Sequence, residues 1–269
     1  MKIAFIGGGN MGEAMLSAIL DRGLSQPDSI CVSDISESRR QYLEQKYGVA
    51  VTGDNRQAID KSEVVVLAIK PQNLAEVMAG LSGQLKPAQL VLSIIAGASI
   101  QTLSSGLNHN HVVRAMPNTP AQIGEGMSVW TATAKVTEEQ KGWASSVLGA
   151  MGQEIYVADE KYLDMATAVS GSGPAYFFLF VEALVEAGVR IGLPREMAQA
   201  LALETMLGSG HLIQKSGKEP AELRRLVTSP GGTTAEALLV LDKGGFTNLI
   251  KQAVSAAYDK AQKLSGELP

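Results

Sequence analysis

Three glycines and an aspartate carry the first chemical signal in this chain. Gly7, Gly9 and Gly12 stand in Gly7-Gly8-Gly9-Asn10-Met11-Gly12, directly after the apolar run Ile3–Ile6. Glu13-Ala14-Met15-Leu16-Ser17-Ala18-Ile19-Leu20, a good helix former, comes next. Asp34 closes a second apolar run, Ile30–Ser33, about 20 positions on. This is G-x-G-x-x-G between a strand and a helix, and it suits the pyrophosphate of a dinucleotide. Gly7 permits the tight turn, Gly9 lets the backbone approach the phosphates, and Gly12 lets the helix pack close to the strand. The helix start then offers free N–H groups and a positive dipole end. The plainer alternative is a glycine-rich turn without a ligand.

Four further loops hold polar groups in constrained backbone. Ala68-Ile69-Lys70-Pro71-Gln72 ends the apolar run Val64–Ile69, and ligands of open α/β sheets sit at the carboxyl ends of strands. Lys70 is thus either near the cofactor or simply solvated. Met116-Pro117-Asn118-Thr119-Pro120 ends another strand, stiffened by two prolines. Ser170-Gly171-Ser172-Gly173-Pro174 and Thr228-Ser229-Pro230-Gly231-Gly232-Thr233-Thr234 each open a helix. Both read as nests of N–H groups suited to a carboxylate, or as helix caps and hinges. The hydroxyls of the second loop favour a small acidic substrate there.

The elements that position these loops fall into two classes. Strands are expected over 2–6, 30–33, 64–69, 90–94, 111–116 and 127–131. Helices are expected near 10–22, 37–46, 71–82, 99–106 and 137–151. Strands apolar almost throughout, such as Val64-Val65-Val66-Leu67-Ala68-Ile69, are buried on both faces of a parallel sheet covered by helices. From about Lys161 the strand signals stop, and helices fit 174–192, 195–216, 220–226, 233–242 and 246–265. The fold class is therefore a doubly wound α/β Rossmann-type domain over 1–160, followed by an all-α domain over 161–269. Ala175-Tyr176-Phe177-Phe178-Leu179-Phe180-Val181 is apolar all round and must be covered on every side. A partner subunit or a single intramolecular bundle core would cover it.

The 269 residues suffice for one large domain or two ordinary ones. A net charge of −4 without a basic tract argues against a nucleic-acid partner. The single cysteine, Cys31, excludes an internal disulfide and a cysteine-based zinc site, and it is expected to be a buried thiol. The N-terminal apolar run is too short for a signal peptide, and Ala175–Val181 is too short for a bilayer. A cytoplasmic protein without a membrane partner is expected. His109 and His111 read as a surface loop and His211 as helical, with no acidic cluster beside them, so no metal site is expected. A nicotinamide enzyme that reduces a carbonyl normally needs a strong proton donor to the new alkoxide. A cyclic imine needs less, because it binds already protonated.

At these residues the chain resembles the pyrroline-5-carboxylate reductase family. The matching motifs are Phe5-Ile6-Gly7-Gly8-Gly9-Asn10-Met11-Gly12, Ala68-Ile69-Lys70-Pro71, Met116-Pro117-Asn118-Thr119-Pro120, Ser170-Gly171-Ser172-Gly173-Pro174-Ala175-Tyr176 and Thr228–Thr234, in family order. The resemblance implies NADPH or NADH as cofactor, held by Ile6, Gly7, Gly8, Gly9, Asn10, Met11, Gly12, Asp34, Asn55, Ala68, Ile69, Lys70, Pro71, Met116, Asn118 and Thr119. It implies that Ser229, Gly231, Gly232 and Thr233 hold the substrate carboxylate and that Thr234 sits beside the imine nitrogen. It also implies a homodimer built on the helical domain, often assembled into larger rings. Members favouring NADPH often carry Ser, Thr or Arg just after the second strand. Asp34 here accepts a ribose 2′-OH and repels a 2′-phosphate, although Arg39 and Arg40 are close in sequence.

Two other functions compete. A 3-hydroxyacid dehydrogenase of the β-hydroxyacid type would carry a catalytic lysine four residues after Gly173, where Phe177 stands. A non-catalytic NAD(P)H-binding redox sensor would have no use for the Thr228–Thr234 loop.

Overall fold

The computed structural model describes residues 1–267. Its contacts divide the chain into two compact units. One is Met1–Ser172 together with the stretch that begins at Ala256, and the other is Gly173–Ser255.

The first unit is built on one eight-stranded sheet. Its strands are β1 (Ile3–Ile6), β2 (Ile30–Ser33), β3 (Ala50–Thr52), β4 (Val64–Leu67), β5 (Leu90–Ser93), β6 (Val112–Met116), β7 (Gly126–Ala132) and β8 (Gly152–Tyr156). The spatial order is β3-β2-β1-β4-β5-β6-β7-β8. All neighbours are parallel except β6 and β7, which pair antiparallel. The chain lays β2 and β3 to one side of β1 and then returns to place β4 on the other. Such a reversal opens a crevice at the carboxyl ends of the strands. Register sets those ends level, with Ile6 opposite Ser33 on one side and Leu67 on the other.

Alternation sends successive side chains to opposite faces. Ile3, Phe5, Val64, Val66, Leu90 and Leu92 pack with Met15, Leu16 and Ile19 of α1 (Asn10–Asp21) and Leu43 of α2 (Glu37–Tyr47). Ala4, Ile6, Val65, Leu67 and Val91 pack on the other face. There they meet Leu74, Met78 and Leu81 of α4 (Leu74–Leu81), Leu103 and Leu107 of α5 (Ile100–Leu107), and Ile59 of the short α3 (Asn55–Ile59). Caps fix where these helices begin. Ser36 accepts the Arg39 N–H, Ser99 accepts the Thr102 N–H, and Thr137 and Gln140 form a capping box on α6 (Glu138–Gly149). Buried Arg114 on β6 bonds Glu160 and Asp164, each at 2.8 Å, and Ser265 donates to Asp164 at 3.1 Å. One guanidinium thereby ties the sheet to the start of α7 (Lys161–Ala166) and to the end of α12 (Phe246–Glu267).

The second unit holds α8 (Gly173–Arg190), α9 (Arg195–Ser216), α10 (Pro220–Leu226), α11 (Thr233–Lys243) and the beginning of α12. Its buried cluster is small: Val185, Ala198 and Ala202, flanked by Val181, Val189 and Leu193. Gly188 permits this close packing, since a Cβ there would stand 3.1 Å from the Ala198 Cβ. Phe177, Phe178, Leu179 and Phe180 remain 46–66% exposed. A bundle core within one chain does not cover them.

Several sequence expectations change. Ser170–Pro174 leads into α8, which begins at Gly173, but not from a free helix start. Thr167–Gly171 forms a π-helical turn in which Ser172 N–H reaches back five residues to Thr167 O. Helix is already running from Lys161, so this segment offers no exposed nest. The continuous run Lys161–Arg190 is long and apolar enough, by length and composition alone, to cross a membrane, which the short Ala175–Val181 run concealed. His109 is buried rather than on a surface loop, its Nε2 lying 2.7 Å from Gln89 O, and burial pushes its pKa down. Cys31 is only partly buried, with its thiol pKa raised by desolvation.

Candidate functional site

In the first unit a cleft of about 790 Å³ lies at the carboxyl ends of β1, β2 and β4. It gathers Ile6, Gly7, Gly9, Asp34, Asn55, Ala68, Ile69 and Lys70. The turn after β1 has the geometry its glycines demand. Gly7 has φ +99°, and a Cβ there would lie 2.7 Å from Ala68 O. A Cβ on Gly12 would lie 2.5 Å from Gly7 O, so the helix could not approach with any other residue. At Gly9 the same test meets nothing within 4 Å. Gly9 is also the N-cap of α1 and supplies no side-chain cap bond, which leaves the first N–H groups of Asn10 and Met11 for an anion. These residues fit the pyrophosphate of a dinucleotide.

Around this turn the polar groups are fixed. Asp34 Oδ2 accepts the Gly8 N–H at 2.8 Å and its Oδ1 accepts the Ser36 N–H at 2.9 Å. Ser33 Oγ donates to Asn55 Oδ1 at 2.6 Å, and Asn55 lines the cleft. Lys70 is exposed at the rim, and Pro71 begins a 3-10 turn over 71–73 that leads into α4. Arg39 and Arg40, alike in the sequence, differ here. Arg40 Nη1 donates to Asp34 O at 2.7 Å, whereas Arg39 bonds Gly8 O and Glu13. Glu13 also accepts Tyr42, Lys46 and Tyr47, each at 2.9 Å. Burial alone would raise the Glu13 carboxyl, but the bonds from Lys46, Arg39, Tyr47 and Tyr42 outweigh it and hold the pKa at about 2. The spacing of residues 39, 42, 46 and 47 on one helical face was the sequence signal for this cluster.

Met116 ends β6, Asn118 and Thr119 follow it, and none of the three lines this cleft. Asn118 Oδ1 accepts the Met127 N–H at 2.8 Å, and its Nδ2 faces Ser170 O and Oγ, each at 3.3 Å. Its amide is committed to joining β7 and the π-helical turn. Met116 packs there as well, since a Cβ on Gly171 would stand 3.0 Å from its Cε.

The second unit carries the other candidate loop. Gly232 N–H bonds Ser229 O at 3.1 Å, Gly231 has φ +68°, and a Cβ on Gly232 would strike Ser229 Oγ at 2.5 Å. Thr228 is anchored through its Oγ1 to Arg224 O at 2.6 Å. Gly232 is the N-cap of α11 and gives no side-chain cap bond, so the Thr233 and Thr234 N–H groups start an uncapped helix. The half-buried Thr234 hydroxyl stands in its first turn. Such a turn can hold a carboxylate. Among the described residues, no group of three or more His, Cys, Asp or Glu side chains is placed to hold a metal ion.

Residues 160–264 match the family described as pyrroline-5-carboxylate reductase dimerisation, and residues 2–97 match the family described as NADP oxidoreductase coenzyme F420-dependent. A pyrroline-5-carboxylate reductase of Synechocystis sp. is 44% identical over 264 residues, 98% of each chain. The structure of a pyrroline-5-carboxylate reductase from Coxiella burnetii superposes with a TM-score of 0.90 at 38% identity, covering 98% of both chains. That of Plasmodium falciparum pyrroline carboxylate reductase, solved with NADP bound, also gives 0.90, at 30% identity and the same coverage.

Proposed function

The chain belongs to the pyrroline-5-carboxylate reductase family, and from that premise we propose how its two regions divide the reaction. It is an oxidoreductase that uses a nicotinamide cofactor, reducing the imine carbon of 1-pyrroline-5-carboxylate to give proline, the last step of proline biosynthesis. The full-length likeness to these reductases carries this reading.

The Rossmann region, 1–160, holds the cofactor through Ile6–Gly12, Asp34, Asn55 and Ala68–Pro71; Met116, Asn118 and Thr119, which lie outside that cleft, complete the proposed cofactor set. The helical region, 161–269, holds the substrate. A bound nicotinamide supplies the hydride. Ser229, Gly231, Gly232 and Thr233, from this or a partner subunit, hold the substrate carboxylate on backbone N–H groups. Thr234 donates or accepts a hydrogen bond at the ring nitrogen, which stays protonated as it changes from iminium to amine. A threonine hydroxyl is a poor acid, so Thr234 works by positioning. The dimerisation match and the exposed Phe177–Phe180 face support a homodimer; a larger ring of such dimers is the further assembly that the family resemblance implies. The net charge of −4 without a basic tract supports an enzyme without a nucleic-acid partner, and a cytoplasmic location without a membrane partner is part of the same proposal.

Mixing the protein with 1-pyrroline-5-carboxylate and NADH or NADPH should consume the cofactor and yield proline. No oxidation with either cofactor would defeat the reading. Because Asp34 borders the cleft, NADH should serve at least as well as NADPH. Comparison of kcat/KM for both cofactors should show Asp34→Ser shifting toward NADPH. A wild type that strongly prefers NADPH, with an unchanged mutant, would remove Asp34 from that role.

A further inference from the structure

We propose that Arg39 is a positioning residue for the cofactor phosphates, acting through the Gly8–Gly9 peptide, and that Glu13 holds it in place. This rests on the dinucleotide reading of the Gly7–Gly12 turn. The Gly8 N–H donates to Asp34 Oδ2 at 2.8 Å and its carbonyl accepts from Arg39 Nε, so both polar groups of Gly8 are clamped from the β2–α2 segment. A trans peptide is planar, and its C=O and N–H point in opposite directions. Arg39 therefore fixes the Gly9 N–H as well, aimed away from α2. A flipped peptide would instead turn a carbonyl dipole toward the phosphates. The packing agrees, because a Cβ on Gly8 would stand 2.6 Å from Leu43 Cδ1 of α2.

Glu13 explains why the clamp needs a cation. It sits in the first turn of α1, beside the N–H groups that receive the phosphates, where a bare carboxylate would repel them. Arg39 and Lys46 both pair with it, which leaves the cluster with one positive charge in excess. Arg39 thus has two tasks, holding the Gly8 carbonyl and cancelling Glu13, and neither involves the ribose 2′ position. Lys46 shares only the second.

The test is a titration of Arg39→Gln and Lys46→Gln with NADH and with NADPH. Thermal melting of each variant shows that it is folded, and kcat is taken at saturating cofactor. Arg39→Gln should raise Kd for both cofactors by a similar factor, about tenfold or more, with kcat little changed. Lys46→Gln should change Kd by less than about threefold. Glu13→Gln combined with Arg39→Gln should recover part of the loss, because the uncancelled carboxylate is gone. Loss confined to NADPH would overturn the proposal, since Arg39 would then read a 2′-phosphate. Unchanged Kd in a folded Arg39→Gln, or equal losses in both single variants, would overturn it too. A wild type that binds neither cofactor would instead defeat the dinucleotide reading itself.

Discussion

The two regions of this chain solve burial differently. In the sheet unit every residue of β1, β4 and β5 is buried, and the covering helices come from the same chain. In the helical unit the buried cluster is three residues, while four consecutive large apolar residues of α8 stay exposed. A fully buried large apolar side chain stabilises by about 1.5–3 kcal/mol, so the face left open is worth far more than the cluster that is closed. The sheet unit carries its own core. In the proposed homodimer the helical unit gains one from its partner.

The largest break in this contrast should come from Phe178→Glu. A charge on the exposed face of α8 should dissociate the assembly to the 28.3 kDa chain or unfold the helical unit, as read by light scattering and circular dichroism. A wild type that is monomeric at assay concentration would erase the contrast altogether. Next, Gly9→Asp puts a side chain and a negative charge into the space open beside Gly9. Dinucleotide affinity of the folded variant should fall by far more than about tenfold, while the assembly stays intact. Unchanged affinity would remove this turn from the cofactor site.

A smaller effect sharpens the same contrast through pH. The Glu13 pKa is held at about 2, below its unfolded value, so its stabilisation is complete above the unfolded pKa. It is lost as pH falls from about 4.5 toward 2. After allowance for solvent screening this amounts to about 1–2 kcal/mol. Urea midpoints of wild type and Glu13→Gln should therefore converge across that window. The convergence should not depend on protein concentration, because the whole cluster lies in one chain. Parallel curves would show that Glu13 gains nothing on folding.

What the residues disclosed in advance follows the same division. β1, β2, β4, β5 and β6 were legible because strands buried on both faces are mostly apolar, with Ser33, Ser93 and Arg114 as buried exceptions. β3 was missed because three partly exposed residues at a sheet edge carry no pattern. β8, Gly152–Tyr156, was missed because it is a mostly exposed edge with polar residues. Ser170–Pro174 looked like a loop from its composition, but the helix begun at Lys161 absorbs it by widening to a π turn. His109 was misplaced because its partner, the Gln89 carbonyl, lies 20 positions away in the chain. The glycine turn and the Thr228–Thr234 loop were legible because their backbone geometry needs those residues locally. The Arg39 clamp was missed because its partners, Gly8 O and Glu13, lie far along the chain in the glycine turn and α1.

The division of labour between the regions is tested most directly at Thr234. Thr234→Ala should lower kcat/KM for 1-pyrroline-5-carboxylate by about 10–100-fold, because positioning of an already protonated imine is lost rather than an acid. Its Kd for NADH and NADPH should match the wild type, and Thr234→Ser should keep most activity. A Thr234→Ala enzyme that turns over like wild type, or one whose loss lies in cofactor affinity, would contradict the assignment of substrate to the helical region.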